Sequence, residues 1–286
     1  MSREETHSHI LTEQIIPLSL TIVVFAACVA LLYGEINLLN KFVIAREHIS
    51  IKIRFTDILV GLTIYLKTSI DFAIFIGRLM SKYPGWKNRI MIEIGTALGN
   101  AAGTILILLI WDIFREVKAL MAAMIVVAAL VLFRLAEEGL DHVKDDRGNY
   151  QFRFLGFVQL FESVLSQFNR LVAPVLNKLV PHTSLGDSTH KSLLGLFLLS
   201  FTIPFILGLD DFAGYIPLFN VVNVFGFATG VFLGHMILNI LLFISPRKTI
   251  SAVKNAFISF LGSLAFVGLG LWGLYEAAKL IGFGPH

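Results

Sequence analysis

Charge is scarce in this sequence. Asp, Glu, Lys and Arg make up 15% of 286 residues, against 56% hydrophobic residues, and the mean hydropathy is +0.78. Soluble domains carry about 25% charged residues, so the composition excludes a soluble class and points to a membrane protein. Cysteine occurs once, as Cys28 inside the first apolar run. A single thiol excludes both a disulfide framework and a Cys-built metal site within one chain. Basic runs are also lacking: 23 Lys and Arg stand against 20 Asp and Glu, too small and too scattered an excess for a nucleic-acid partner. No Gly-x₄-Gly-Lys-Ser/Thr loop occurs, so ATP hydrolysis is not expected of this chain.

What the sequence has is long apolar runs. Residues 1–14 form a polar tail in which Glu4, Glu5 and Glu13 outnumber Arg3. Such a tail is unlike the basic start of a signal peptide, so 15–33 is read as a retained leading transmembrane helix. Crossing the hydrocarbon takes about 20 residues, and further runs at 56–80, 89–111, 117–136, 192–218, 221–244 and 256–281 bring the expected number of spans to seven. The 34–55 connection holds Ile49–Phe55, which alternates like a strand. The expected class is therefore an all-α integral membrane protein.

The runs repeat. Ser69-Ile70-Asp71-Phe72-Ala73 matches Leu209-Asp210-Asp211-Phe212-Ala213, and Gly95, Gly99 and Gly103 match Gly226, Gly230 and Gly234. The segment ending at Glu137 likewise matches the one ending at Glu276. Equivalent helices lie three spans apart and so cross in opposite directions, which predicts a 3+3 inverted-topology repeat of 56–140 and 196–281. In the 141–195 connection, Phe157, Phe161, Val164, Phe168, Leu171 and Val175 recur at three- and four-residue steps, the pattern of an interfacial amphipathic helix. The distribution of Lys and Arg, weighted by this connection, favours a cytoplasmic N-terminus.

Polar residues inside the runs are the candidate site, because an ionisable group at the bilayer centre costs at least ~2.5–3.5 kcal/mol on insertion scales and so marks a pathway. Lys67 and Asp71 stand one helical turn apart, close enough for a plain internal salt bridge. Glu93, Thr96, Asn100 and Thr104 form one stripe beside the glycines, and His235 precedes Asn239 by four. The glycine stripes themselves are most simply helix-packing surfaces, and Asn223 an interhelical hydrogen bonder. Asp71 and Asp211, related by the repeat, are expected to meet near mid-depth, where carboxylate and amide oxygens replace the hydration shell of a cation.

At these residues the chain resembles the LysE superfamily of exporters, which includes amino-acid exporters, cadmium-resistance transporters and TerC-type proteins. Thr68-Ser69-Ile70-Asp71 is similar to the Leu-Ser-x-Asp-Asn signature of TerC-type proteins, and Leu209-Asp210-Asp211 to the Ile-Asp-Asp of cadmium-resistance transporters. Phe72 and Phe212 stand where the TerC signature has Asn, and Lys67 adds a positive charge. The resemblance implies a multi-pass secondary transporter in the cell (plasma or inner) membrane, not an enzyme, exporting a divalent cation such as Mn²⁺ or Ca²⁺ by proton or ion exchange. Asp71, Asp211, Glu93, Asn100 and Asp210 are the expected ligands, with Lys67 and His235 linked to protons. No permanently bound cofactor is expected. The partners are the lipid bilayer and the cation, with a homo-oligomer left open. The alternatives are a non-transporting scaffold or assembly factor with a decayed site and, on the partial Gly208-Leu209-Asp210 motif, an intramembrane aspartyl protease.

Overall fold

The computed structural model describes residues 15–42, 48–83, 85–141, 143–144, 155–179, 192–213, 215–220, 222–253 and 255–282. The described residues are predominantly helical, with no β-sheet among them. Five helices among them are long and apolar enough to cross a membrane: Leu18–Lys41, Trp86–Phe114, Lys118–Asp141, Val224–Ile244 and Ser259–Leu280. The protein is therefore a multi-pass membrane protein. The polar tail expected at 1–14 lies outside the described residues.

The helices divide between two compact units. The first holds α1 (Ile16–Phe42), α2 (Phe55–Thr68), α3 (Ile70–Lys82), α4 (Trp86–Phe114) up to Leu106, α7 (Leu193–Ala213) up to Leu209, α8 (Val224–Ile244) and α9 (Pro246–Val253) up to Ala252. The second holds the rest of α4, α5 (Lys118–Asp141), α6 (Leu155–Leu179), a 3₁₀ turn (Ile216–Asn220) and α10 (Ala256–Leu280).

Two expected spans differ from their sequence reading. The run at 56–80 is broken at Ser69 into α2 and α3, bent 64° to one another, although neither proline nor glycine stands at the break. The backbone amide of Ser69 still bonds back to Tyr65 O at 2.9 Å. The run at 192–218 is a 21-residue helix that ends at Ala213, and the chain continues in the 3₁₀ turn Ile216–Asn220. Ile49–Arg54 has no regular structure and is not the strand its alternation suggested; its hydrogen-bond partners are side chains. Asn40 Oδ1 accepts from Ile49 N at 2.7 Å, Asn40 Nδ2 donates to Ile49 O at 2.9 Å, and Asn223 Nδ2 donates to Ser50 O at 2.7 Å.

Glycine sets the closeness of packing in the first unit. Helices in lipid gain little from apolar burial and associate through van der Waals contact, so small residues let backbones approach. A Cβ at Gly61 would lie 2.1 Å from Phe227 O, and one at Gly230 would lie 2.2 Å from Ile58 O, so α2 and α8 touch backbone to backbone in both directions. In the same way a Cβ at Gly99 would lie 2.3 Å from Phe201 O, on α7.

In the second unit α5 packs along α10, and α6 lies against α5. α6 buries Val158, Leu165 and Asn169, while Phe157, Leu160, Val164 and Leu171 remain exposed, Leu171 at 81%. Protein thus covers only the boundary of the helix's apolar arc. The rest faces outward beside a polar arc of Gln159, Ser163 and Arg170, the form of a helix lying in the plane of the interface. Lys144, which donates to Glu162, ties the end of α5 to α6. That hydrogen bond raises the lysine pKa above its ordinary value.

Gly99→Leu and Gly230→Leu are expected to prevent folding, because the added bulk must separate two backbones. Even Gly230→Ala should cost about 1–3 kcal/mol, read as a lower Tm of the detergent-purified protein. An unchanged Tm in the alanine variant would show that the α2–α8 contact is not this close.

Candidate functional site

The polar stripe of α4 faces inward: Glu93 and Thr96 are 0% exposed, with Asn100 and Thr104 also buried. The threonines are satisfied locally. Thr96 Oγ1 donates to Glu93 O at 3.0 Å and Thr104 Oγ1 to Asn100 O at 3.0 Å. Neither oxygen of the Glu93 carboxylate meets the geometry of a hydrogen bond; the Thr21 hydroxyl and the Asn239 amide are the groups close enough to interact with it.

On α8, His235 and Asn239 are both buried. The imidazole is tied at each nitrogen, with Tyr65 Oη at 2.7 Å from Nδ1 and Asn239 Nδ2 at 2.9 Å from Nε2. Phe72 lies against it with ring centroids 5.5 Å apart. Tyr65 reaches the ring because residue 234 is glycine: a Cβ there would stand 2.8 Å from the tyrosine Cδ1. Asn239 therefore sits between the carboxylate and the imidazole and interacts with both.

These groups border one cavity, whose polar wall is Thr21, Cys28, Glu93, Asn100 and His235. Phe25, Phe232 and Met236 contribute to its apolar wall. It offers about 10 Å³ to the centre of a water molecule, room for about one water or one dehydrated ion. Besides Glu93, the atoms without a hydrogen-bond partner here include Asn100 Nδ2 and Asn239 Oδ1. The site is a small set of oxygen and nitrogen groups around one acid, with aromatic side chains in its wall.

No family model, curated protein or solved structure matches the chain. The functional reading accordingly rests on sequence and geometry.

Of the residues expected to form the site, Glu93, Asn100 and His235 share this cavity. Lys67 is half-buried near the end of α2. The backbones of Asp71, Asp210 and Asp211 are helical, but their side chains lie outside the described residues. Among the described residues, no three of His, Cys, Asp and Glu are grouped so as to hold a metal ion. Thr21, Cys28, Tyr65 and Asn239 complete the arrangement and were not among the expected ligands. Asn239 was legible as the i+4 neighbour of His235. The other three carry no sequence signal beyond being the polar or aromatic members of apolar runs. A further buried acid, Asp57, lies beside Gly226 in the first turn of α8, where a helix N-terminus favours a carboxylate.

Tyr65→Phe and Asn239→Leu each leave a buried ring nitrogen without its partner, which should cost about 1–3 kcal/mol. Thermal unfolding in detergent checks this, and a Tm equal to the parent's in both variants would mean that His235 is held in some other way.

Proposed function

We propose that the chain is a secondary transporter that exports a small inorganic cation, Mn²⁺ or Ca²⁺ before others, across the cell (plasma or inner) membrane, with the Glu93 cavity as a station on the path. The observation that carries this reading is Glu93 itself: a completely buried carboxylate, with neither oxygen hydrogen-bonded, on a space the size of one ion. An acid at that depth is costly to insert and marks an ion or proton route. The Thr21 hydroxyl and the Asn100 side-chain amide, both on the cavity wall, add hard oxygens, the donors that Ca²⁺ and Mn²⁺ accept. Asp71, Asp210 and Asp211 supply further carboxylates along the route. Lys67 acts as an internal counter-ion that gives up its proton or swings away when a dication arrives. Proton or ion exchange then drives export, with no enzymatic step and no resident cofactor.

This reading counts seven crossings: the five long helices, the bent α2–α3 pair and α7. It orders them as a leading helix and an inverted repeat. The pairing of helices supports that order, since α2 packs on α8, the glycines of α4 pack on α7, and α5 packs on α10. Exchanging the halves turns the first contact into the second and leaves the third unchanged. The LysE-like motifs at Asp71 and Asp211 agree with it.

Reconstituted into liposomes, the parent should carry Mn²⁺ or Ca²⁺. Glu93→Gln should fold normally and lose at least about tenfold in flux, and Asp71→Asn and Asp211→Asn should abolish flux. A folded parent that moves none of a panel of cations would leave the scaffold reading instead.

A further inference from the structure

We infer that α1 is a wall of the cation site rather than an anchor beside it, with Thr21 as a ligand-facing hydroxyl and Cys28 as a contact side chain of the bound ion. The inference rests on the transport reading of the Glu93 cavity and extends it to a helix that neither half of the repeat contains.

Thr21, Val24, Phe25 and Cys28 line the cavity at i, i+3, i+4 and i+7, a single face of α1. The same face continues as Leu32 and Ile36, both 0% exposed, while Ile22, Val23, Leu31 and Leu38 point outward. α1 packs against α8, which carries His235 and Asn239. Here the hydroxyl of Thr21, 1% exposed, faces Glu93. Cys28, two turns on, borders the same cavity. The second observation pointing to a ligand is that carboxylate, fully buried with neither oxygen hydrogen-bonded. A space this small brings any ion held by Glu93 into contact with the α1 face.

Cys28 is the only cysteine in the sequence, so N-ethylmaleimide reports on this wall in the unmodified protein. Mn²⁺ at about ten times its Kd should slow alkylation of Cys28 by about tenfold in liposomes, and Glu93→Gln should remove the protection. Thr21→Val should raise the KM for Mn²⁺ by about fivefold or more at unchanged kcat, with Thr21→Ser close to the parent. Cys28 reacting equally with and without Mn²⁺ overturns the inference, and if the protein still carries Mn²⁺ the transport reading survives it. Protection in a protein that carries no ion keeps α1 in the site and removes transport. Should Cys28 be inert to the reagent, equal KM values for Thr21→Val and Thr21→Ser overturn the inference, and a parent that neither reacts nor carries Mn²⁺ overturns both readings.

Discussion

Hydrocarbon offers polar groups no partner, so each one this chain carries into the bilayer has to be met by the chain itself. Helix formation meets the backbone. Hydroxyls meet the requirement within one turn: Thr96, Thr104, Thr229 and Ser263 each donate to a carbonyl of their own helix, as such residues commonly do. A carboxylate has no proton to give a carbonyl of its own helix, and an imidazole has two nitrogens to satisfy. Glu93 accordingly looks across to Thr21 and Asn239, while His235 meets Asn239 within α8 and Tyr65 across from α2. Both residues border the cavity.

The crossing is short because the glycines beside them make it short. Backbone contact at Gly61 and Gly230 seats α2 on α8, and the flat surface at Gly234 lets the Tyr65 ring lie down and present its hydroxyl to His235. Polar and glycine stripes therefore belong to one device. The glycines fix the separation of the helices, and the separation fixes which side chains reach one another. A substitution on the glycine face would act on the site through geometry without touching any of its polar atoms.

The helices were legible because apolar run length and three-to-four-residue spacing are local signals, and so was the buried stripe Glu93–Thr96–Asn100–Thr104. The break at Ser69 was not legible, since Leu66-Lys67-Thr68-Ser69-Ile70 carries no residue that forbids helix. The alternation of Ile49–Arg54 suggested a strand that does not form, and nothing local could reveal that the Asn40 and Asn223 side chains take its backbone hydrogen bonds. Of the site, the acid and the imidazole could be read, because ionisable residues in an apolar run are conspicuous. Thr21, Cys28 and Tyr65 could not. In sequence they are ordinary members of apolar helices, and only the folded chain turns them towards Glu93 and His235.

The sequence suggested His235 as a proton-linked residue, and its two ties change the part it can play. A ring held at Nδ1 by Tyr65 and at Nε2 by Asn239 has no lone pair left to offer an ion in this arrangement. Its effect on a cation must therefore pass through the groups that hold it. Asn239 is the one that matters, because its amide interacts with both the imidazole and the Glu93 carboxylate while its Oδ1 has no hydrogen-bond partner. Rotating that amide exchanges donor for acceptor on both sides at once.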